Sequence, residues 1–120
     1  MIYSDLEAWK ASMELAQKIY EATRSFPREE IYGMTSQMRR AAVSIPSNIA
    51  EGSARQSDKD ALRFIRIAQG SFAELETQII LAQRIGFFVP DDEFLALLKK
   101  SGRLITGLAQ HAERRCASSR

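Results

Sequence analysis

Apolar residues recur along this chain at spacings of three and four, the repeat of a helix that buries one side. A first segment opens near Asp5, read as its N-cap, and puts Leu6, Trp9, Met13, Ala16, Tyr20 and Thr23 on one packing stripe. It is expected to end at Ser25-Phe26-Pro27, because the residue before a proline is pushed out of the helical region. A second segment, about Glu29 to Ala54, places Ile31, Met34, Met38, Ala42, Ile45 and Ile49 on one side. Glu51-Gly52-Ser53-Ala54-Arg55-Gln56 reads as a turn, with Ser57 or Asp58 capping a third helix that runs to about Ile85 before Gly86. Its core stripe is Ala61, Ile65, Ala68, Phe72, Leu75, Ile79 and Ala82. A fourth helix starts after Pro90, capped by Asp91 or Asp92, and carries Phe94, Leu97, Ser101, Leu104, Ile105 and Leu108 inward to about Arg114. No strand-like alternation bounded by hairpin turns occurs. The pattern predicts an all-α fold, an antiparallel up-down-up-down four-helix bundle roughly 30 to 40 Å long. It forms a single domain over residues 1–116, with a disordered tail over 117–120.

The second segment departs from simple amphipathicity. At about 100° per residue, Ser36, Val43, Ser47, Ala50 and Ala54 face away from its apolar stripe, interrupted by Arg40. A helix that is small or apolar on two sides is buried on both, either centrally in the bundle or against another subunit. These five residues are therefore the candidate oligomer interface. Pro46 inside the pattern removes a backbone donor and predicts a kink near Ala42 to Pro46, or else a break into two shorter helices. Ser44 and Ser47 could bond the freed carbonyls, which favours the continuous helix. In the third segment, Gly70 beside Ala68 and Ser71 hints at close approach by another backbone, since glycine in a helix interior costs about 1 kcal/mol.

Composition narrows the chemistry. A chain of 120 residues fits one core, and no apolar run approaches the roughly 20 residues of a membrane-spanning helix. The start lacks a basic region followed by an apolar one, so a cytoplasmic protein is expected. One cysteine, Cys116, and one histidine, His111, supply neither a disulfide nor the paired Glu-x-x-His ligands of a bundle di-iron site. Five residues apart on a helix, those two side chains point about 140° away from each other, against a nucleophile pair. No phosphate-loop, nucleophile-elbow, zincin or dinucleotide motif is present. The expectation is a non-enzymatic protein without a cofactor or metal.

The net charge of +2 hides an uneven distribution. Residues 39–66 and 99–120 are basic blocks, whereas 1–38 and 67–98 carry more acid than base. Arg63 and Arg66 point opposite the third helix's apolar stripe, and Lys99, Arg103, Gln110 and Arg114 share an outward face of the fourth that contains no acid. Twelve of the 17 basic residues are arginine, whose planar paired donors suit phosphate. Solvated cations near helix C-termini account for such a pattern equally well. Aromatic residues are not interleaved with these cations as single-strand binders require. A helix-turn-helix over 39–66 fails because both helices are too long.

The run Arg39-Arg40-Ala41-Ala42-Val43-Ser44-Ile45-Pro46-Ser47-Asn48-Ile49-Ala50-Glu51-Gly52 resembles the small four-helix-bundle proteins encoded within intervening sequences of bacterial large-subunit ribosomal RNA genes. Thr35-Ser36-Gln37-Met38 upstream and Gly70-Ser71-Phe72-Ala73-Glu74-Leu75-Glu76-Thr77-Gln78-Ile79 downstream extend the likeness, which covers about Leu6 to Leu108. Such proteins are similar to the accessory protein of diversity-generating retroelements. That resemblance implies a homopentamer and a nucleic-acid partner. Ser44, Pro46, Ser47, Asn48, Glu51 and Gly52 match the signature and read as structural: kink, buried polar bonds and helix ending. Many relatives carry an aromatic after the Glu-Gly pair, whereas this chain has Ser53-Ala54.

Two functions follow as expectations. In the first, the bundle binds structured nucleic acid, RNA rather than DNA, through Arg39, Arg40, Arg55, Lys59, Arg63, Arg66, Lys99, Lys100, Arg103 and Arg114. In the second it is a protein-interaction scaffold that recruits a partner enzyme through its two-sided second helix and acidic patches, without nucleic-acid affinity.

Overall fold

The computed structural model describes Tyr3 and residues 6–119. It contains four helices, α1 (Glu7–Thr23), α2 (Met34–Ser53), α3 (Asp58–Arg84) and α4 (Asp92–Ser118), with a 3₁₀ turn at Arg28–Glu30 and no strand among the described residues. Each helix packs on two neighbours, α1 on α2 and α4, α3 on α2 and α4, closing a four-membered ring of helices in a body 49 × 28 × 22 Å. Consecutive helices read in opposite directions: Thr23 at the end of α1 meets Arg39 near the start of α2, Ser44 meets Ser71, and Arg66 meets Glu113. The expected antiparallel bundle is thus visible in the register of its side chains.

The core is drawn from all four helices: Leu15 and Ile19, Met38, Ile45 and Ile49, Ile65, Leu75 and Ile79, then Phe94, Leu97 and Ile105. Each such side chain, removed from water, stabilises the fold by roughly 1.5 to 3 kcal/mol. On α1 the buried face differs from the expected stripe. Ala8, Ala11, Ser12, Leu15 and Ile19 face inward, while Trp9 is half-buried and Met13 and Tyr20 are exposed. The helix carries two adjacent apolar stripes, and the one with small residues is the one its neighbours can approach. Asp5, expected as the cap, lies outside the described residues; Leu6 precedes the helix without a side-chain cap.

The second helix starts later than its periodicity implies. After the 3₁₀ turn the backbone leaves the helical region at Gly33 (φ −112°, ψ −115°), and the Glu30 carboxylate accepts from the Met34 N–H at 3.1 Å. Ile31 therefore falls in a loop, 56% exposed, rather than on the core stripe. From Met34 the helix continues unbroken across Pro46, which is buried, so the two-helix alternative is excluded. The Ser44 hydroxyl serves other side chains rather than the Ala42 carbonyl, the one Pro46 leaves without its N–H. Asn48 donates to the Ser44 carbonyl at 2.8 Å and to the Ser44 hydroxyl at 3.0 Å, and that hydroxyl pairs with Ser71 of α3 at 2.8 Å.

Gly52 stays inside α2 instead of belonging to the turn, and it explains how closely α2 and α3 meet. A Cβ there would lie 3.0 Å from the Ala61 carbonyl oxygen and 3.3 Å from Cβ of Phe64. Gly70 has no such role within the chain, since it faces open space. Ser57 caps α3 by accepting from the Asp60 N–H, and Asp91 caps α4 by accepting from the Phe94 N–H at 2.8 Å. The end of α3 closes as a Schellman motif: Gly86 takes φ +84°, and the Phe87 and Gly86 N–H groups donate to Ala82 and Gln83. The last helix continues past Arg114, where periodicity ends it, to Ser118, and Cys116 sits half-exposed on that added turn. Arg120 lies outside the described residues.

Candidate nucleic-acid interface

The ten candidate cations do not form one patch. Because α2 and α3 are antiparallel, Arg39 and Arg40 lie at the opposite end of the bundle from Arg55, Lys59, Arg63 and Arg66. Arg39 is committed to the fold: half-buried, it donates from Nε to the Thr23 hydroxyl at 2.8 Å and from a terminal nitrogen to the Tyr20 carbonyl at 3.4 Å. Its guanidinium also covers the Tyr20 ring at 4.6 Å, clamping α1 to α2. Arg40, its neighbour, is exposed.

At the α2–α3 corner, Arg55 pairs with Glu51 at 2.7 Å and lies over the Phe64 ring at 4.5 Å. Arg63 covers the same ring at 4.7 Å. Around the corner, Arg66 reaches Glu113 of α4 at 3.2 Å, and Arg115, absent from the candidates, reaches Asp58 at 3.4 Å. These exposed pairs contribute little stability, about 0 to 1 kcal/mol each, yet the two cross-helix pairs occupy cations that local spacing leaves free.

Between the outer faces of α3 and α4 runs an open groove of about 550 Å³ lined by Phe72, Lys99, Gly102, Arg103, Thr106 and Gln110, with Glu76 on its α3 side. Phe72 fits against Gly102, where a Cβ would meet its ring at 3.1 Å. The fourth-helix face is therefore not free of acid once its neighbour is in place. Glu76 lines the same groove as Lys99 and Arg103, and Glu113 projects from α4 itself. Arg114 lies beyond it, in a shallow depression with His111, Arg115 and Asp58. Lys100 is exposed outside both.

The candidate oligomer face has a different character. Val43 is 42% exposed, Ser47 and Ala54 are exposed, and Ser36 and Ala50 are half-buried. Val43, Ser47 and Ala50 join Trp9, Met13, Tyr20 and Pro46 in a groove of about 590 Å³ between α1 and α2. The aromatic and thioether side chains read from the sequence as core thus line the surface that the small residues of α2 open. No helix among the described residues is long and apolar enough to cross a membrane.

Residues 4–109 match the family model of the 23S rRNA-intervening sequence protein. The chain belongs to that family. Comparison with curated proteins returns no match. The match spans all of α1, α2 and α3 and most of α4, and takes in the lining of both grooves except Tyr3 and Gln110. In this 23S rRNA-intervening sequence protein family member, Phe64 and Phe72 are the residues near the cations that sequence reasoning passed over. Phe72 belongs to the core stripe; Phe64 follows Arg63 directly, a local signal of an aromatic beside a cation, but lies nine positions from Arg55 across a turn, where no periodicity links them.

Proposed function

We propose that this chain is a non-catalytic, oligomeric four-helix bundle of the cytoplasm that binds structured nucleic acid, RNA in preference to DNA, through its basic outer helix faces. The observation that carries the reading is that Arg40, Lys59, Arg63, Lys99, Lys100, Arg103 and Arg114 are exposed and have no carboxylate within ion-pairing distance among the described residues. Exposed cations without partners release counterions when they meet phosphate, giving sequence-independent, salt-sensitive binding. The open apolar groove between α1 and α2 supports self-association, and a homopentamer is the number the family resemblance implies. Repetition of each basic face around a ring multiplies weak contacts by avidity.

Anisotropy of a labelled RNA hairpin and a matched DNA duplex, titrated with protein across a salt series, tests this reading. Affinity should fall steeply with salt, and the Lys99, Arg103 and Arg114 to Ala triple variant should flatten the slope. The same apolar groove favours a second reading, a scaffold that docks a partner protein. Absence of binding even at low salt selects that alternative.

A further inference from the structure

Resting on the nucleic-acid reading, we propose that Phe64 is a positioning residue whose ring presents the Arg63 guanidinium, and with it Arg55, to a phosphate of the nucleic-acid backbone. The comparison with Arg39 carries the argument. Both Arg39 and Arg63 lie over an aromatic ring, at 4.6 and 4.7 Å. The nitrogens of Arg39 are spent on Thr23 and Tyr20, whereas Arg63 has no protein acceptor among the described residues. A ring against one face of a guanidinium restricts a flexible side chain while leaving its N–H edge unused. Arg63 is in that state, held in place with its donors unspent.

Electrostatics point the same way. Two like charges over one ring repel, and only Arg55 has a carboxylate in contact, Glu51. Lys59 stands one turn before Arg63 on the same side of α3, and Asp60 one turn before Phe64. Arg55, Lys59, Arg63 and Arg115 against Glu51, Asp58 and Asp60 leave the corner positive by one charge, and an oxyanion offers Arg63 the acceptor it lacks. The ring is itself fixed from below: Gly52 admits α3 so closely that Cβ of Phe64 lies 3.3 Å from where a Gly52 Cβ would be. Backbone packing therefore sets where the guanidinium groups stand.

The test is anisotropy with the RNA hairpin over a salt series, using full-length wild type, Phe64→Leu, Phe64→Tyr, Arg63→Ala and Arg63→Lys, each checked for helicity and melting temperature. Arg63→Ala should reduce the slope of log affinity against log salt by about 0.7 to 0.9, the loss of one phosphate contact. Phe64→Leu keeps every charge and should weaken binding by about fivefold with the slope retained, as expected for losing two exposed cation–π contacts. Phe64→Tyr should restore wild-type affinity, and Arg63→Lys should not, because a point charge lacks the planar fork. Wild-type affinity in a folded Phe64→Leu protein overturns the positioning role. If that accompanies weakened binding by the Lys99, Arg103 and Arg114 variant, the nucleic-acid reading survives without it. No binding by wild type removes both.

Discussion

The α1–α2 and α3–α4 faces lie on opposite sides of one bundle and carry grooves of similar size, about 590 and 550 Å³. Their chemistry differs. One is lined mainly by Trp9, Met13, Tyr20, Val43 and Ala50, with Gln17, Glu21 and Arg24, the other by Lys99, Arg103, Thr106 and Gln110, with Phe72, Leu98 and Glu76. Antiparallel helix packing creates both channels, so the channel itself carries no functional information; the side chains at its rim do. An apolar groove gains by excluding water, which suits another protein surface. A cationic groove gains by releasing counterions, which suits phosphate.

The most forceful way to break this contrast is Val43→Asp or Ala50→Asp. If the proposed self-association uses this face, either should leave only monomer by light scattering, and Val43→Asp should keep the helicity of the chain intact because Val43 is already 42% exposed within it. Unchanged mass removes this face as the subunit contact. Next in size, the Lys99, Arg103 and Arg114 to Ala variant should retain the assembly's mass while lowering the salt slope of binding by about 2 to 3. Equal loss of binding in the Val43→Asp protein would show that affinity depends on repeated copies rather than on one face.

Glycine substitutions sharpen the comparison at the level of stability. Gly52→Ala should cost about 1 to 3 kcal/mol in urea denaturation, since its Cβ would press on the Ala61 carbonyl at 3.0 Å. Gly70→Ala should instead stabilise an isolated chain by about 0.5 to 1 kcal/mol, because it faces open space in mid-helix. If Gly70→Ala destabilises only the assembled protein, another subunit covers α3. The smallest effect belongs to the seam between the two faces, where Lys18 of α1 meets Glu93 of α4 at 3.3 Å. The hydrogen bond and charge of Glu93 raise the Lys18 pKa above its ordinary 10.5. The pair's contribution is present below that range and lost as pH rises through the raised value. Melting temperatures of wild type and Lys18→Met should differ slightly at neutral pH and converge in strong alkali.

Most of the bundle is legible from periodicity, and the departures have physical causes. The core stripes of α3 and α4 hold at Ile65, Leu75, Ile79, Phe94 and Ile105, although α3 also carries Ile67, Ile80 and Leu81 exposed on other sides. On α1 the bulk of Trp9, Met13 and Tyr20 outweighed Ala8 and Ala11, although close packing selects small residues facing neighbours and leaves large ones at the rim. Ile31 matched the α2 repeat yet lies outside the helix, because backbone geometry at Gly33 decides the start. The interface was less legible. Spacing reveals which cations point outward, but whether each is spent on a carboxylate, a ring or a carbonyl depends on the neighbouring helix. Arg39 and Arg66 are engaged by residues of another helix that no local pattern assigns to them, whereas the Glu51–Arg55 pair follows the ordinary four-residue helix spacing.

The extra turn of α4 makes Cys116 a handle of unusual simplicity. It is the sole thiol of the chain and is carried on a helix rather than a loose end. A maleimide dye attached there labels every protomer once and at an equivalent position. Stepwise photobleaching of single particles then counts the copies directly, with fluorescence lost in one step for a monomer and in as many equal steps as there are chains in the proposed oligomer.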